Sequence, residues 1–528
     1  MDPLSCDVVI IGSGFGGAVS ACRLANAGRS VLVLERGRRW TPATYPRQPE
    51  DAWVWEQRKP EAHNGWIDLR FLKNMWVAQG AGVGGGSLIY ANISINARPG
   101  AFDSGWPSQI NYGVLEPYYE RVRDMLNSKP LPDGQLTKRF LLMREAAEKT
   151  GNADRFRKLD LAVTFDEDFT PDPDAIDPKN SKPFTNRFGK QQGTCYHCGN
   201  CVIGCDVSAR NSLDLNYIAD AERAGATVQP LSMVTHISRD GDGWRVHYDR
   251  LESGRREPVD VWAKRVVLGA GSLGSTEILL RSRDEYGTLP NLGKSLGRGW
   301  SANGDFLTPA FYGDGRRVDP SIGPTITCAI DFLDGSKDGA RFWVEDGGFP
   351  NELSNYLLAK LNHVGKFGPR AAFLKRLLAG FAVKDPLSNM MPWFGQAVDG
   401  ADGDFYLARR WYAPWQRYLE LDWDATESER AVNGLVDMHK ELSRATGGEA
   451  AVPFTWSVLR MLVTPHPLGG CAMAASPSAG VVDHAGRVFD HPGLYVFDGS
   501  IVPRPLGLNP SKTIAALAER GVELMMKE

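Results

Sequence analysis

The chain has 528 residues, of which 42% are hydrophobic and 23% charged, and its formal net charge is −3. This length exceeds what one hydrophobic core usually serves, so two domains are expected. The near-neutral charge excludes a broad basic surface for nucleic acid. The first residues lack the basic and apolar regions of a secretory signal, and no apolar run reaches the roughly 18 to 20 residues that span a bilayer. We therefore expect a cytoplasmic protein.

The N-terminal segment has the pattern of a βαβ unit. Residues 8–11 are apolar and β-branched and predict a buried strand, residues 12–17 form a glycine turn, and residues 18–26 suit a helix. A second strand follows at residues 31–34. Because a parallel pair of strands needs a crossover helix, this order predicts an α/β protein with a doubly wound parallel sheet.

The glycine turn matches the spacing G-x-G-x-x-G in its required context. Gly12 permits the tight turn, Gly14 allows backbone amides to approach a pyrophosphate, and Gly17 allows the helix to pack closely on the strand. Glu35, at the end of the next strand, is placed to accept hydrogen bonds from an adenosine ribose. A simple glycine turn is the alternative, but strand, helix and acid together favour a dinucleotide site. The motif does not distinguish FAD from NAD.

The rest of the chain gives a coarser pattern. Further strands are predicted at residues 227–237, 244–248 and 259–268, with turn residues 240–243 forming a hairpin. Residues 40–70 show no sustained period and predict a surface excursion, whereas the glycine-dense residues 80–86 predict a ligand loop. Residues 165–190 are rich in proline and aspartate and predict an extended loop, and the tail from residue 494 predicts strand, loop and helix.

Three later segments carry a family resemblance. They are GVGGGSL at residues 82–88, VLGAGSLGS at 267–275, and HPLGGC at 466–471 followed by LYVFDGS at 494–500 and GLNP at 507–510. Together with the first glycine turn, they resemble the glucose-methanol-choline (GMC) flavin oxidoreductases, and particularly their cholesterol-oxidase-like branch. The matches extend from near residue 8 to near residue 521, with a poorly matched middle.

The resemblance implies FAD as the cofactor and a discontinuous two-domain fold. A Rossmann-like FAD-binding domain would comprise residues 1–42, 76–100, 205–310 and 464–528. An α+β substrate domain with a mainly antiparallel sheet would comprise residues 43–75, 101–204 and 311–463. The cofactor-binding residues implied by the resemblance are Gly12, Gly14, Phe15, Gly16, Gly17, Glu35, Gly82, Gly84, Gly85, Gly86, Ser87, Asn92, Val234, Ala270, Gly271, Asp498, Gly499, Asn509 and Pro510.

The implied reaction is oxidation of a bulky or apolar alcohol to a carbonyl, with a sterol as the first expectation. His466 in its neutral form would remove the hydroxyl proton while hydride moves to flavin N5, because imidazole has an unperturbed pKa near 6.5. Asn509 would donate an amide hydrogen bond to the substrate oxygen or the flavin edge. An alternative role for Asn509 is to cap the helix that begins near residue 511. The other eight histidines are expected to be surface or core residues.

Glu345 ends an apolar strand pattern. By the same resemblance, it stands where the cholesterol-oxidase-like branch carries a glutamate that moves a proton during steroid isomerisation. A carboxyl group in an apolar pocket has a raised pKa and suits that role. The alternative is a solvated glutamate at the end of a strand. Asn303 resembles another residue that lines the pocket.

Four cysteines follow the spacing C-x₂-C-x₂-C-x₃-C, at Cys195, Cys198, Cys201 and Cys205. This is the spacing of ferredoxin ligands, although Asp206 stands where proline usually follows. An iron–sulfur cluster, a zinc ion and unligated structural thiols remain three alternatives, and structural thiols are favoured because neighbouring motifs do not establish coordination.

The sequence does not determine the electron acceptor or whether the protein contacts a membrane. An oxidase would return electrons to dioxygen, and a dehydrogenase would pass them to another acceptor, from substrates that include aryl, long-chain or sugar alcohols. Residues 367–381 have an amphipathic helical pattern, which fits either a core helix or a peripheral membrane contact. A flavin-binding relative without alcohol chemistry is the rival, since fold alone does not determine function.

Overall fold

The computed structural model describes residues 5–172, 176–252, 254–313, 315–350, 387–410, 413–457 and 460–528. The amphipathic segment at residues 367–381 lies outside these ranges, so its helix stays a prediction. No helix in the described ranges is long and apolar enough to cross a membrane.

The described chain contains eight α-helices and 23 strands. The helices are α1 Phe15–Asn26, α2 Tyr112–Leu126, α3 Lys138–Lys149, α4 Tyr217–Arg223, α5 Gly271–Leu280, α6 Glu429–Ala445, α7 Phe454–Ser457 and α8 Ser511–Met526. The strands are β1 Ser5–Ile11, β2 Val31–Leu34, β3 Val54–Trp55, β4 Ile67–Leu72, β5 Met75–Gly80, β6 Lys129–Pro130, β7 Phe156–Lys158, β8 Asp160–Leu161, β9 Phe184–Thr185, β10 Gln191–Gln192, β11 Thr227–Gln229, β12 Ser232–Asp240, β13 Gly243–Glu252, β14 Arg255–Leu268, β15 Phe306–Tyr312, β16 Cys328–Lys337, β17 Ala340–Asp346, β18 Met390–Ala397, β19 Asp404–Arg410, β20 Ala413–Asp422, β21 Gly448–Ala450, β22 Leu462–Thr464 and β23 Leu494–Val496.

A seven-stranded sheet forms the doubly wound part of the fold. Its order is β11-β2-β1-β14-β13-β12, with β23 also paired to β14. Strands β11, β2, β1, β14 and β23 are parallel. Strand β13 pairs antiparallel with both β12 and β14, and the predicted hairpin at Asp240 and Gly243 joins β12 to β13. The apolar residues of β1 and β2 are buried, as parallel strands covered on both faces require. The predicted Rossmann-like fold is confirmed.

One predicted strand of this sheet is in fact two strands. Residues 227–237 were expected to be continuous, but β11 ends at Gln229 and β12 begins at Ser232. Pro230 has no amide hydrogen for a ladder, and Leu231 adopts a positive φ of 54°. The chain therefore turns here, and the two halves occupy opposite edges of the same sheet.

A six-stranded antiparallel sheet, ordered β21-β15-β18-β17-β16-β7, forms the second layer of the fold. Helix α6 packs against it through a buried stripe that includes Val432, Leu435 and Leu442. These residues recur three and seven positions apart, the spacing of one helical face. The expected α+β architecture with a mainly antiparallel sheet is confirmed, whereas the proposed domain boundaries stay a prediction.

The region expected to be an irregular excursion contains regular structure. Strands β3 and β4 join β5 and β22 in a four-stranded sheet. In β4 the usual alternation is inverted, because Asp68 is buried against Arg36 and Arg70 while Phe71 is 57% exposed. A buried ion pair on one face and an apolar residue on the other hide the two-residue period on which strand prediction depends.

Close backbone packing at glycine joins the N-terminal and C-terminal segments. A Cβ atom on Gly16 would lie 1.6 Å from the carbonyl oxygen of Phe497. Helix α1 also packs along α8, where Arg23 donates to both carboxylate oxygens of Glu519 at 2.8 and 2.7 Å. The first and last segments of the fold therefore form one body.

Replacement of Gly16 by alanine tests this contact. We expect Gly16→Ala to lower the free energy of unfolding by about 1 to 3 kcal/mol, because its methyl group has no space beside Phe497. Denaturant unfolding of the apoprotein gives the value. Gly134→Ala is the control, since a Cβ there meets no atom within 4 Å. Equal stability of the two variants would contradict the close contact.

Candidate active site

A cavity of about 820 Å³ opens at the carboxyl ends of β1, β2, β14 and β23. This is the edge at which doubly wound sheets bind ligands, because the turns after the strands converge there. Of the residues predicted to bind the cofactor, those lining the cavity are Gly12, Gly14, Phe15, Gly16, Glu35, Gly85, Gly86, Val234, Ala270, Gly271, Asp498, Gly499, Asn509 and Pro510.

The remaining predicted cofactor residues do not line the cavity; they are Gly17, Gly82, Gly84, Ser87 and Asn92. A Cβ atom on Gly17 would lie 2.0 Å from the carbonyl oxygen of Gly12, so Gly17 serves the close helix packing. Ser87 donates to the carbonyl oxygen of Gly84 at 2.8 Å and accepts from the Leu213 amide at 3.0 Å, which shapes the second glycine loop. Gly82 forms a parallel β-bridge with Arg38, and the next residue, Val83, donates its amide hydrogen to the Arg38 carbonyl oxygen at 2.9 Å.

The first glycine turn presents a helix N-terminus to the cavity. Helix α1 begins after Gly14 with no side-chain cap, and a Cβ on Gly14 would meet only the carbonyl oxygen of Gly269, at 3.8 Å. The amide groups of a first helical turn lack intrahelical partners and, with the helix dipole, favour an anion. The site therefore fits the pyrophosphate of a dinucleotide.

Glu35 and Asp498 hold the loops around this site. Glu35 accepts from the amide and hydroxyl of Ser13, at 3.1 and 2.6 Å, and from the Gly37 amide at 2.9 Å. Asp498 accepts from the Gly271 amide at 2.9 Å and from the Ser500 amide at 2.9 Å. Its carboxylate thus connects the turn after β14 to the turn after β23, in addition to lining the cavity.

His466 is held by an acid that the sequence did not reveal. Its Nδ1 lies 2.8 Å from Oδ1 of Asp305, and Thr464 donates to the same carboxylate and accepts from the His466 amide at 2.9 Å. The engagement of Nδ1 leaves Nε2 as the ring nitrogen available to the cavity, which His466 lines. No motif marks Asp305, because it precedes β15 and lies 161 residues from His466 in sequence.

The charge environment raises the pKa of His466 above its ordinary value. Burial acts to lower this pKa, but the negative charge and hydrogen bond of Asp305, together with Glu345, outweigh it. The ring was expected to have an unperturbed pKa, so its basicity is greater than the sequence indicated.

Glu345 is completely buried at the end of β17. Its carboxylate accepts from Trp343 Nε1 at 2.9 Å and from Gln396 Nε2 at 3.2 Å. Burial raises its pKa to about 7, although these two donors and His466 act in the opposite direction. The alternative of a solvated glutamate at a strand end is wrong, and Glu345 itself is not among the residues that line the cavity.

Asn509 lines the cavity and carries an unsatisfied side-chain oxygen. Its Oδ1 is buried and has no hydrogen-bond partner among the described residues. Pro510 occupies the N-cap position of α8 without a side-chain hydrogen bond, so the capping role suggested for Asn509 is wrong. A buried polar atom without a hydrogen-bond partner destabilises the folded protein. Such an atom fits a site in which a ligand supplies the partner.

Two further asparagines were predicted to belong to the site. Asn303 was expected to line the pocket, but it accepts from the amides of Leu506 and Gly507 at 3.0 and 2.9 Å and donates to the Leu508 carbonyl at 2.9 Å. It therefore orders the loop that precedes Asn509. Asn92 is buried with φ at 67°, and neither polar side-chain atom has a partner in the described part of the chain.

The wall around His466 is largely apolar. The Phe394 ring centroid lies 6.4 Å from that of His466, and Leu307 pairs across the sheet with Phe394. Phe394 and Leu307 line the cavity, as does Ile326. Such surroundings suit an apolar substrate with one hydroxyl group to orient.

The four clustered cysteines are free thiols that line a separate cavity of about 20 Å³. Burial raises the thiol pKa of Cys195, Cys198 and Cys205, which favours their neutral form. No group of three or more His, Cys, Asp or Glu side chains in the described ranges is arranged to hold a metal ion. The described residues therefore give the iron–sulfur and zinc predictions no support.

Comparison with known proteins identifies the family. Two models of GMC oxidoreductases, an N-terminal and a C-terminal one, match residues 181–297 and 411–518. A model of NAD(P)-binding Rossmann-like domains matches residues 10–56. Cholesterol oxidases of Acinetobacter baumannii and Mycobacterium tuberculosis are each 31% identical over 98% of this chain, and over 93% and 90% of their own lengths.

A solved structure agrees with this assignment at the level of the fold. Pyridoxine 4-oxidase from Mesorbium loti superposes with a TM-score of 0.64 at 16% identity, over 99% of each chain. Family models, relatives, fold and cavity agree, and we conclude that the chain belongs to the GMC family of FAD-dependent oxidoreductases, whose substrates are alcohols.

Proposed function

We propose that this enzyme oxidises a bulky, apolar alcohol to its carbonyl, with His466 as the base. The observation that carries the proposal is the ring of His466, which lines the cavity with Nε2 available while Asp305 holds Nδ1. Asn509 lines the same cavity, and its side-chain Oδ1 has no hydrogen-bond partner among the described residues. To be oxidised, an alcohol needs a base that takes its hydroxyl proton and a neutral group that orients its oxygen. His466 and Asn509 are the proposed groups.

FAD, when bound along the turns at Gly14, Gly271 and Asp498, supplies the acceptor for the hydride that leaves the alcohol carbon. The protein then has two tasks at the substrate. His466 Nε2 removes the hydroxyl proton, and the Asn509 amide holds the oxygen so that the C–H bond has one orientation. Asp305 keeps the proton of the neutral ring on Nδ1 and stabilises the imidazolium that forms.

A sterol is the first substrate class that we propose. Support comes from the apolar wall of Phe394, Leu307 and Ile326 and from the similarity to two cholesterol oxidases. In such a substrate, Glu345 would move a proton between carbons after oxidation, since a pKa of about 7 allows it both to accept and to release one. Dioxygen is the proposed electron acceptor by the same similarity.

Substitution of His466 tests the base. We expect His466→Gln to lower the rate constant of flavin reduction by about 10²- to 10⁴-fold, because the hydroxyl proton loses its acceptor, while bound FAD is retained. The measurement is anaerobic bleaching of the flavin by sterols, aryl alcohols, long-chain alcohols and sugars. His63→Gln, at an exposed position, is the control. Unchanged bleaching of the His466 variant by every alcohol would exclude the assignment.

Substitution of Asp305 tests the electrostatic part of the site. Because Asp305 raises the pKa of His466, Asp305→Asn should move the rising limb of the kcat/KM pH profile to lower pH. The maximal kcat should fall by about 10-fold or more, since an amide at this position favours the wrong ring tautomer. Asp399→Asn, a buried aspartate bonded to Ser301, should leave the limb in place. A limb that moves to higher pH in Asp305→Asn contradicts this account.

Glu345→Gln separates oxidation from isomerisation. With a sterol whose double bond is β,γ to the new carbonyl, we expect the variant to oxidise within about 10-fold of the wild-type rate, because His466 remains. The conjugated enone should not accumulate, since an amide cannot carry the proton. Ultraviolet absorbance of the enone measures this step. Unchanged enone formation by Glu345→Gln would remove Glu345 from the reaction.

A further inference from the structure

Arg139 is a completely buried arginine at the second residue of α3. Its Nη2 donates to the carbonyl oxygens of Pro324, at 2.7 Å, and Ile322, at 3.3 Å. Its Nη1 lies 3.1 Å from the carbonyl oxygen of Thr325 and 3.0 Å from that of Gly347, and it also contacts the carbonyl oxygen of Asp346. Five backbone carbonyls from two separate segments thus converge on one guanidinium group.

The Asp346 carboxylate completes this arrangement. Its Oδ2 lies 3.1 Å from Arg139 Nη1, and both side chains are fully buried. The same carboxylate accepts from the amides of Thr327 and Cys328, at 2.6 and 2.8 Å, and from the Thr327 hydroxyl at 2.6 Å. Arg139 and Asp346 therefore connect helix α3, the start of β16 and the end of β17.

The two connected segments form part of the wall of the main cavity. Thr325 and Ile326 line it from one segment, and Gly347 and Gly348 line it from the other. Their backbone packs directly on the arginine, because a Cβ atom on Gly348 would lie 2.9 Å from Arg139 Cζ. A displacement of the guanidinium group would consequently move this wall.

We propose that Arg139 is a positioning residue that sets the size of alcohol the cavity accepts. The inference rests on the proposed function for its substrate class. Arginine suits the position because its planar fork donates in several fixed directions, so two loops are held at once. A lysine retains the charge but has one nitrogen and no fixed fork, and it cannot reproduce the contacts to both segments.

Hydrogen exchange of the FAD-loaded protein tests the positioning role without reference to catalysis. In Arg139→Lys, we expect exchange about 10-fold faster at amides of residues 325–328 and 346–348, with residues 14–17 unchanged. Arg144→Lys, an exposed residue of the same helix, is the control. Unchanged exchange at both wall segments in Arg139→Lys would overturn the proposal.

Steady-state kinetics tests the effect on specificity. Arg139→Lys should raise KM for the bulkiest alcohol oxidised by about 10-fold while kcat for the smallest stays within about 3-fold. An equal loss of kcat/KM for every alcohol would mean that Arg139 supports stability alone, and it would overturn the proposal. If Arg139→Lys does not fold, the double variant Arg139→Met with Asp346→Asn, which leaves no unpaired charge, undergoes both measurements with the same outcomes.

The two proposals fail in different ways. If the wild-type enzyme oxidises no alcohol, the proposed function fails, whereas exchange at residues 325–328 and 346–348 still decides the role of Arg139. If the wild type oxidises alcohols but the Arg139 variants keep the same relative KM values, only the role of Arg139 fails.

Discussion

This structure depends on close contact between backbone segments. At these contacts there is no space for any side chain. Gly16 abuts the carbonyl oxygen of Phe497, and a Cβ on Gly12 would lie 2.6 Å from the carbonyl oxygen of Gly269. The turns after β1, β14 and β23 can therefore meet at one edge of the sheet. This meeting brings an uncapped helix N-terminus and Asp498 into the same cavity. The segments lie nearly 500 residues apart in sequence, so the cofactor site exists only in the folded chain.

The six-stranded antiparallel sheet contributes two buried acidic residues near this cavity. Successive side chains of a strand point to opposite faces, and β17 ends with two adjacent acids. The charge of Glu345 interacts with that of His466, whereas Asp346 forms an ion pair with Arg139. One acid is thus near the proposed chemistry, and the other fixes the cavity wall. Each is buried and each has hydrogen-bond donors, as a buried carboxyl group requires.

Sequence predicted the parts of the structure that depend on local pattern. The turn at Gly12 and the strands β1 and β2 follow from glycine spacing and β-branched residues, and His466 was found through a family motif. Asp305 and Arg139 were not found, because their roles arise from contacts across more than 150 residues. Strand β4 was missed because its buried side carries Asp68. Helix capping was the alternative role that propensity gave Asn509, but in the folded chain the residue lines the cavity and its Oδ1 has no partner in the described part of the chain.

The central claim is that His466 and Asn509 hold one alcohol oxygen beside the cofactor. An experimental structure of the FAD-loaded enzyme with a bound ketone product tests it most directly. The account predicts the ketone oxygen within about 3.2 Å of both His466 Nε2 and the Asn509 amide nitrogen, with Asp305 still on Nδ1. A ketone oxygen more than about 5 Å from both groups, or an Asp305 carboxylate bound elsewhere, would contradict it.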